Sequence, residues 1–527
     1  MNKLPPSIFN DVIGPVMRGP SSSHTAASVR IGRIINQYVS GEIKSCIVEF
    51  TPSGSLATTY HGQGTDIGIA AGLLGLNTDE KNLVNSLNKV KTLGIDLKFQ
   101  IVDYQAKHPN TYRIRVVDKD NLSTEFLFLS TGGGMIELLR INNFEFSIKG
   151  DNFVTLFFIS DSDLTKLNNF TDTIESLIPG KFKLHHASDP LSELFILETA
   201  DKLPPGVLNS ISKLRQDLNL PGKTVELDPV MPVRSIVNDY FLYPDADKLY
   251  KIMEKNDQPL WKIAVQYESA RGSITEDDVI QFAENLARVM KNSVVEGLSG
   301  TKYDNRILGA QAANILKSGQ PLLGGAYLKK IIAYSTAVME VKSAMGTIVA
   351  APTAGSCGVL PGALITTAEE LEISDQNLAR AVLAAGIIGV LIAWKSTFAA
   401  EECGCQAECG SASAMSAAAL VQMTGGSPKQ AMDAAALALQ SILGLACDPV
   451  ADRVEVPCLG KNILAALNAV AAANMSLAGF DKVIPLDESI EALDQVGRLL
   501  PPELCCTGKA GLSITRTAQA IHKHLGK

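Results

Sequence analysis

The stretch that decides the fold class runs from residue 153 to residue 228. It alternates short apolar runs with two longer amphipathic segments, in the order FVTLFFIS (153–160), LTKLNNFTDTIESL (164–177), KFKLHHAS (181–188), LFILETA (194–200), GVLNSISKLRQDL (206–218) and KTVELD (223–228). The short runs predict strands and the longer segments predict helices. The resulting order, βαββαβ, is that of a ferredoxin-like module.

Outward from this stretch, the chain has a different character on each side. The preceding residues contain further β-rich runs, such as Leu97–Val102, Tyr112–Val117 and Glu125–Leu129, between turns and helical patterns. After about residue 260, Ala, Leu and Gly dominate, and Ser427-Pro428 is a typical helix start. We therefore expect a multidomain protein with an α+β domain (1–150), an ACT-like ferredoxin-like module (151–232), a linker (233–265) and a mostly α-helical domain (266–527).

Bulk properties exclude several classes of function. The 527 residues carry a formal net charge of -8, and 46% of them are hydrophobic. An acidic chain without clustered Lys and Arg is not expected to bind nucleic acid. The longest apolar run, Ala381–Trp394, is shorter than the ~20 residues that span a bilayer, and the N-terminus lacks the pattern of a secretory signal. We expect a cytoplasmic protein that does not associate with a membrane.

Cysteines are concentrated in the C-terminal half. The segment EECGCQAECG (401–410) contains three of the nine cysteines, and Cys447 and Cys458 border an irregular, proline-containing segment. In a reducing compartment, grouped cysteines more often bind metal than form disulfides. Paired CxxC spacings typical of structural zinc are absent from the sequence, and widely spaced thiolates suit an iron–sulfur cluster better. Small core residues remain an alternative for Cys405 and Cys409, which could share a helical face.

Three polar or glycine-rich loops stand out in the first 150 residues. They are GPSSSHTAA (19–27), YHGQGTD (60–66) and STGGGMI (130–136). Hydroxyls, imidazoles and flexible glycines are suitable parts for binding an anion and transferring a proton. The alternatives are structural: a Ser/Thr cap for the helix that follows the first loop, a turn before the helix that follows the second, and an ordinary flexible loop for the third.

Taken together, long motifs in both halves resemble the iron–sulfur-dependent bacterial L-serine dehydratases, also called L-serine ammonia-lyases. The N-terminal half is similar to the family's β part and the C-terminal half to its α part, so that both parts are fused in one chain. The similar segments are DVIGPVMRGPSSSHTAASVRIGRI, FTPSGSLATTYHGQGTDIGIAAGLLG, HPNTYRI, STGGGMIE, SAMGTIVAAPTAGSCGVLPGAL, GCQAECGSASAM, LGLACDPVADRVEVPC and TGKAGL.

The resemblance implies a [4Fe-4S] cluster with three cysteine ligands and one iron open to the substrate, and it implies no pyridoxal phosphate. The ligands are the cysteines of the GCQ, CDPV and VPC motifs, here Cys405, Cys447 and Cys458. Cys357, Cys403 and Cys409 would then be small residues packed around the cluster.

The resemblance also implies the reaction and its other residues. The open iron would act as a Lewis acid while L-serine is converted to pyruvate and ammonia. His61 is the expected general base, with His24 as the second candidate, and Glu402 would orient an active-site group or serve as a structural carboxylate. The expected substrate-binding residues are Ser21, Ser22, Ser23, Thr25, Gly132, Gly133 and Gly134.

The sequence departs from the family pattern near its C-terminus. Cys505-Cys506 precedes Thr507 where relatives often carry Arg-Glu, and Ala510 replaces a usual glycine. Because three ligands are already assigned, we expect Cys505 and Cys506 not to bind the cluster.

Two alternative functions remain at this stage. One is another iron–sulfur β-eliminating lyase, such as a cysteine desulfidase or a threonine-preferring dehydratase. The other is a catalytically dead amino-acid sensor, which the retained ligand cysteines and His61 disfavour. Expected partners are L-serine, a small-molecule effector of the ACT-like module and a second copy of the chain in a homodimer.

Overall fold

The computed structural model describes residues 5–160, 163–235, 246–256 and 258–525. Most of the predicted linker (233–265) falls on two helices and on residues 236–245. Residues 236–245 lie outside the described residues. The helices at Ala246–Asn256 and Leu260–Gly272 contribute Leu249 and Ile263 to the core of the helical part. The domain boundaries themselves stay a prediction.

The N-terminal part is built around a six-stranded sheet in the order β3-β2-β4-β5-β6-β7. Strands β2 and β3 are parallel and the other neighbours are antiparallel. The strands of this part are β1 (Val16–Arg18), β2 (Ile43–Phe50), β3 (Asp96–Ile101), β4 (Thr111–Asp118), β5 (Ser123–Gly132), β6 (Met135–Ile141) and β7 (Phe144–Ile148). Its helices are α1 (Ala27–Tyr38), α2 (Leu56–Thr59), α3 (Thr65–Leu73) and α4 (Ser86–Thr92).

The three N-terminal strands predicted from β-rich runs are confirmed as β3, β4 and β5. The expectation of a flexible loop at residues 130–136 is wrong, because this segment is the tight connection of the β5–β6 hairpin. Gly132, Gly133 and Gly134 all have positive φ there, which residues with a side chain rarely adopt. Three glycines therefore make a sharp turn rather than a mobile segment.

The βαββαβ order is confirmed in the stretch from residue 153. Its elements are β8 (Phe153–Ile159), α5 (Leu164–Leu177), β9 (Phe182–Asp189), β10 (Ser192–Thr199), α6 (Pro205–Asp217) and β11 (Thr224–Leu227). The strands form an antiparallel sheet in the order β11-β8-β10-β9. The two middle strands, β8 and β10, are the most buried of the four.

Both faces of this second sheet are covered. Phe157 and Ile159 pack in one core with helices α5 and α6, whereas Val154 and Leu156 belong to the core of the N-terminal sheet. A strand buried on both faces reads as a continuous apolar run instead of an alternating one. This explains the sequence FVTLFFI and shows that the module shares a core with the domain before it.

The C-terminal part is mostly helical, as predicted. Its elements are α7 (Ala246–Asn256), α8 (Leu260–Gly272), α9 (Glu276–Ser299), α10 (Ala312–Lys317), α11 (Gly325–Ser343), β12 (Thr347–Val349), α12 (Val359–Glu370), α13 (Asp375–Lys395), α14 (Ala400–Cys403), α15 (Ser411–Met423), α16 (Pro428–Gln440), α17 (Cys458–Leu477), α18 (Leu486–Leu499) and α19 (Arg516–His524). Ser427 caps α16 as expected, and it forms a reciprocal capping box with Gln430.

Helix α13 contains the long apolar run noted in the sequence. It is the one helix among the described residues that is long and apolar enough to cross a membrane, and 78% of its most apolar window is buried inside the protein. Core helices often have this composition, and α13 packs against α8, α9 and α15. The expected buried helix is therefore confirmed.

The first described residues, 5–18, form a joint that connects the N-terminal part to the helical part. Strand β1 pairs with β12 of the helical part, with Met17 opposite Ile348. Upstream of it, Ile8 and Val12 pack where Gly386 and Gly389 leave room on α13, since a Cβ at either glycine would overlap them. The joint holds the N-terminal loops against the helical part, where the cysteines lie.

Candidate active site

Three structurally separate segments bring the predicted ligand cysteines together. Cys405 precedes the short π-helical turn Gln406–Gly410, Cys447 lies in the loop after α16, and Cys458 is the first residue of α17. All three side chains are buried, and none of the nine cysteines forms a disulfide. The structure therefore brings these residues to one place from distant positions in the sequence.

The thiol of Cys447 contacts two other thiols. Hydrogen bonds with the thiols of Cys405 and Cys506, together with burial, raise the pKa of Cys447 well above its ordinary value. Burial and the negative charge of Cys405 likewise raise the pKa of Cys458. Cys405, Cys447 and Cys506 form one small apolar cluster with Ala400, here called the thiol cluster. The participation of Cys506 was not expected from the sequence.

A lysine accompanies the thiols. The Nζ of Lys461 donates to the carbonyl oxygen of Ala446 at 2.6 Å and to Asp448 Oδ1 at 2.7 Å, and it lies 3.9 Å from Cys405 Sγ. Although burial lowers the pKa of Lys461, the neighbouring Cys405 and Asp448 raise it above its ordinary value. Two oxygen acceptors therefore hold the ammonium group of Lys461 beside the sulfur of Cys405.

A buried carboxyl group lies on the other side of Cys405. Thr353 Oγ1 donates to Glu408 Oε1 at 2.6 Å, and Glu408 Oε2 is 4.0 Å from Cys405 Sγ. Burial raises the pKa of Glu408 to about 7.

Among the described residues, no three His, Cys, Asp or Glu side chains converge as the ligands of a single metal ion would.

The first polar loop forms a compact hydrogen-bonded unit around His24. Ser21 Oγ accepts from the main-chain N–H of His24, which makes it the N-cap of the turn Ser22–Ala26, whereas the helix α1 that follows begins without a side-chain cap. The ring Nδ1 of His24 lies 3.0 Å from Ser21 Oγ and 3.1 Å from Ser23 Oγ, and its Nε2 lies 2.9 Å from Thr59 Oγ1. Both ring nitrogens are thus engaged inside the protein.

The environment of His24 favours the neutral ring. Burial lowers the pKa of His24, and the nearby Glu401 carboxylate only partly opposes this. Ser23 Oγ donates to Glu401 Oε1 at 2.7 Å. Because Glu401 belongs to the helical part, this hydrogen bond joins the first loop to the segment that carries Cys405.

Ser22 and Thr25 also make contacts between segments. Ser22 Oγ accepts from the main-chain N–H of Ala354 at 3.1 Å, and Thr25 Oγ1 donates to the carbonyl oxygen of Gln63 at 2.8 Å. The hydroxyls of the first loop therefore hold neighbouring loops in place.

The second polar loop presents His61. This side chain is 68% exposed, and its Nδ1 lies 2.6 Å from Asp66 Oδ2, whereas Asp66 is almost fully buried. Two residues further on, Gln63 Nε2 donates to Cys506 Sγ at 3.6 Å. The HGQGTD loop therefore contacts the thiol cluster through Gln63, while its imidazole lies on the solvent side.

The glycine turn approaches the helical part closely. A Cβ at Gly132 would lie 3.3 Å from the Cβ of Ala399, and a Cβ at Gly133 would lie 3.4 Å from the carbonyl oxygen of Pro352. The carbonyl oxygen of Gly134 accepts a hydrogen bond from the buried Arg30 at 2.6 Å. The turn thus lies at the same boundary between the halves as the two other loops.

Glu402 contacts a histidine that sequence reasoning did not single out. His108 Nε2 lies 3.3 Å from Glu402 Oε1, and both side chains are partly exposed. His108 belongs to HPNTYRI, a segment that carried the resemblance without being assigned a role. Its position within a matched motif was the available signal, whereas the roles of Glu401, Gln63 and Cys506 depend on contacts between distant segments.

Comparisons with known proteins agree with this division of the chain. The family model described as serine dehydratase beta chain matches residues 11–139, and the one described as serine dehydratase alpha chain matches residues 254–513. Together they cover both sides of the boundary at which the thiols and the polar loops meet.

Relatives match either one half or the whole chain. A Bacillus subtilis protein named probable L-serine dehydratase, alpha chain, is 37% identical over 287 residues, which are 54% of this chain and 95% of that protein. A Streptomyces coelicolor protein named L-serine dehydratase is 29% identical over 514 residues, covering 94% of this chain and 96% of that one. The chain therefore belongs to the serine dehydratase family of lyases, with the beta-chain and alpha-chain parts joined in one polypeptide.

Proposed function

We propose that this enzyme converts L-serine to pyruvate and ammonia with a [4Fe-4S] cluster held by Cys405, Cys447 and Cys458. The observation that carries the proposal is the buried thiol cluster, in which Cys447 contacts Cys405 and which Gln63 of the HGQGTD loop contacts at Cys506. The names of the relatives, which include L-serine dehydratase, support the choice of substrate.

The donor set suits such a cluster. Iron–sulfur clusters are held by cysteine thiolates, and these three cysteines are buried without a disulfide. Crowded buried thiols resist ionisation, as the raised pKa of Cys447 indicates, and bound iron would compensate the thiolate charges. When bound, the cluster would supply a Lewis-acidic iron that accepts the hydroxyl group of serine as it leaves.

His61 is the proposed general base. With Asp66 accepting from Nδ1, the ring proton is assigned to that nitrogen and Nε2 becomes the basic one. An exposed imidazole oriented by a buried carboxylate matches the usual pairing of a base and the group that orients it. His24, whose two nitrogens are engaged in the interior, is better suited to holding the first loop in place.

The loops are proposed to bind the serine carboxylate. Ser21, Ser22, Ser23 and Thr25 would act with the turn Gly132–Gly134, where main-chain N–H groups can approach an anion closely. Glu402, paired with His108, would orient the edge of the site. The contacts of Ser22 and Thr25 with neighbouring loops support a positioning role for these two hydroxyls.

The atoms balance in a simple elimination. His61 takes the Cα proton, the Cβ–O bond breaks, and the imidazolium of His61 returns the proton to the leaving hydroxide, so that water leaves together with 2-aminoacrylate. The enamine tautomerises to 2-iminopropanoate, and one water molecule hydrolyses this imine to pyruvate and ammonia. Overall the reaction consumes no reductant and no oxidant.

Single substitutions of the cysteines test this proposal. Cys405→Ser, Cys447→Ser and Cys458→Ser should each lose both the broad visible absorption of the cluster and serine turnover. Cys409→Ser is the matched control, because Cys409 is equally buried and packs beside Asn462. An intact cluster in Cys447→Ser would overturn the assignment. Assays of pyruvate, 2-oxobutanoate and sulfide formation would separate serine from threonine and cysteine as the preferred substrate.

A further inference from the structure

Lys342 is a fully buried lysine in the last turn of α11. Its side chain is 0% exposed, and its Nζ donates to the carbonyl oxygen of Val454 at 3.0 Å. Within the part of the chain that the structure describes, no carboxylate forms an ion pair with this ammonium group. Lysine is almost never fully buried unless it is paired with an anion. The charge of Lys342 therefore requires an anion that the described carboxylates do not supply.

The carbonyl group that Lys342 contacts belongs to the segment between two proposed ligands. Val454 lies in the loop that connects Cys447 to Cys458. Helix α11 also packs directly against α17, which begins at Cys458. The end of α11 is thus adjacent to the place where the proposed ligands meet.

The charge of Lys342 acts on the groups at this place. Burial and the negative charge of Cys405 raise the pKa of Cys458, whereas the charge of Lys342 lowers it. Burial likewise raises the pKa of Glu408, and Lys342 is among the groups that oppose this rise. In a buried environment such interactions are weakly screened. Lys342 therefore favours negative charge on the ligand side of the site.

Lys461, the other lysine at the site, is paired differently. Its Nζ lies 2.7 Å from Asp448 Oδ1, and both side chains are largely buried. This pair is neutral as a whole, so Lys461 needs no further anion. The comparison identifies Lys342 as the buried cation that is available to balance a bound anionic group.

We propose that Lys342 is the fixed countercharge of the iron–sulfur cluster. This inference rests on the proposed function. A core with two positive charges that is held by three thiolates has one net negative charge, which one lysine balances. Charges around an iron–sulfur cluster also influence its reduction potential. Because the reduced cluster carries one more negative charge, Lys342 stabilises the reduced form more than the oxidised form.

An anaerobic redox titration of the reconstituted holoenzyme tests this role. Lys342→Met removes the charge from a side chain of similar length. It should lower the midpoint potential of the cluster and accelerate iron release to a chelator several-fold. Lys342→Arg keeps the charge and should stay close to the wild type in both properties. If Lys342→Met matched the wild type in both, the inference would be overturned.

Lys330 provides a matched control on the same helix. Its ammonium group is partly exposed and lies 3.4 Å from Glu369 at the surface. Charges at the surface are screened by water and salt. Lys330→Met should therefore leave the potential and the rate of iron release unchanged. Equal shifts in Lys330→Met and Lys342→Met would show that the effect is not specific to the buried charge.

Lys342→Gln separates the charge from the hydrogen bond and serves as a second variant if Lys342→Met folds poorly. The amide can still donate to the carbonyl oxygen of Val454, but it carries no charge. Its midpoint potential should therefore be lowered as in Lys342→Met. A potential equal to that of the wild type would assign the effect to the hydrogen bond and contradict the inference.

The two proposals fail in different ways. A wild-type chain that binds no cluster after reconstitution would remove the proposed function. A chain that binds the cluster through Cys405, Cys447 and Cys458, but whose potential and iron release do not depend on Lys342, would leave the proposed function intact and remove only the countercharge.

Discussion

The two histidine loops of the N-terminal part face the same boundary, but their imidazole rings lie in opposite environments. His24 is completely buried and surrounded by hydroxyls from Ser21, Ser23 and Thr59. His61 is 68% exposed and paired with Asp66, whose own side chain is almost fully buried. One ring is a fixed part of the interior, whereas the other is held by Asp66 and reaches solvent.

This difference teaches that a histidine within a polar motif is not by itself evidence for a catalytic role. A ring with both nitrogens bonded inside the protein must break a hydrogen bond before it can accept a proton. A ring held at Nδ1 by a carboxylate already has its orientation fixed. The comparison therefore predicts that substitutions at His61 act on rate, whereas those at His24 act on stability.

The largest expected effect is that of His61→Ala. Removal of a general base lowers kcat roughly 10²- to 10⁴-fold, while the cluster content and the unfolding midpoint should stay close to those of the wild type. Steady-state pyruvate formation and an iron assay measure the two properties. A kcat near that of the wild type would show that His61 is not the general base and that the two histidines do not differ as predicted.

A smaller effect is expected for Asp66→Asn. The amide cannot stabilise the imidazolium that forms during proton transfer, and a hydrogen bond to a charged group contributes about 1.5–3 kcal/mol, or roughly 10- to 100-fold in rate. Rates measured over a range of pH should also show the apparent pKa of the base shifted downward. An unchanged pH profile would show that Asp66 does not orient His61.

His24→Ala should act mainly on folding. It leaves the hydroxyls around the ring without their partner, and an unsatisfied buried polar group costs about 1–3 kcal/mol. Urea unfolding of the anaerobic holoenzyme measures this loss, and His24→Gln should recover part of it. If His24→Ala instead reduced kcat as strongly as His61→Ala at unchanged stability, the roles would be reversed.

The smallest expected effect is a pH dependence of stability. The folded protein holds His24 below its ordinary pKa of 6.5, so the unfolded state binds this proton more readily. Stability from neutral His24 is therefore complete above about pH 6.5 and decreases as the pH falls toward the folded pKa. Between about pH 7.5 and about pH 5.5, the wild type should lose more unfolding free energy than His24→Gln. Equal losses would show that His24 does not titrate differently on folding.

Features that depend on a single segment of the chain could be predicted from the sequence. The elements of the βαββαβ stretch, the buried helix α13 and the cap at Ser427 each depend on neighbouring residues and on local periodicity. Strands β2, β6 and β7 were missed, although β2 is the apolar run IKSCIVEF. The glycine turn was misjudged because three glycines suit a mobile loop and a tight hairpin equally well.

Most residues of the candidate site could be predicted from the sequence, but the contacts between them could not. The resemblance supplied Cys405, Cys447 and Cys458, and the structure brings their segments together. The pairing of Ser23 with Glu401, and the approach of Cys506 to Cys447, depend on how segments that are distant in the sequence dock. A single sequence carries no signal for such long-range contacts, and the Cys505-Cys506 pair read only as a departure from the family.

The joint at the start of the chain has a consequence for assembly. Strand β1 and the residues before it are inserted into the helical part, and relatives exist whose names designate separate alpha and beta chains. In a two-chain enzyme with the same joint, this segment would be an arm extended by one subunit into the other. Fusion then mainly raises the effective concentration of the partners, so a chain cut between its halves should stay associated through this arm.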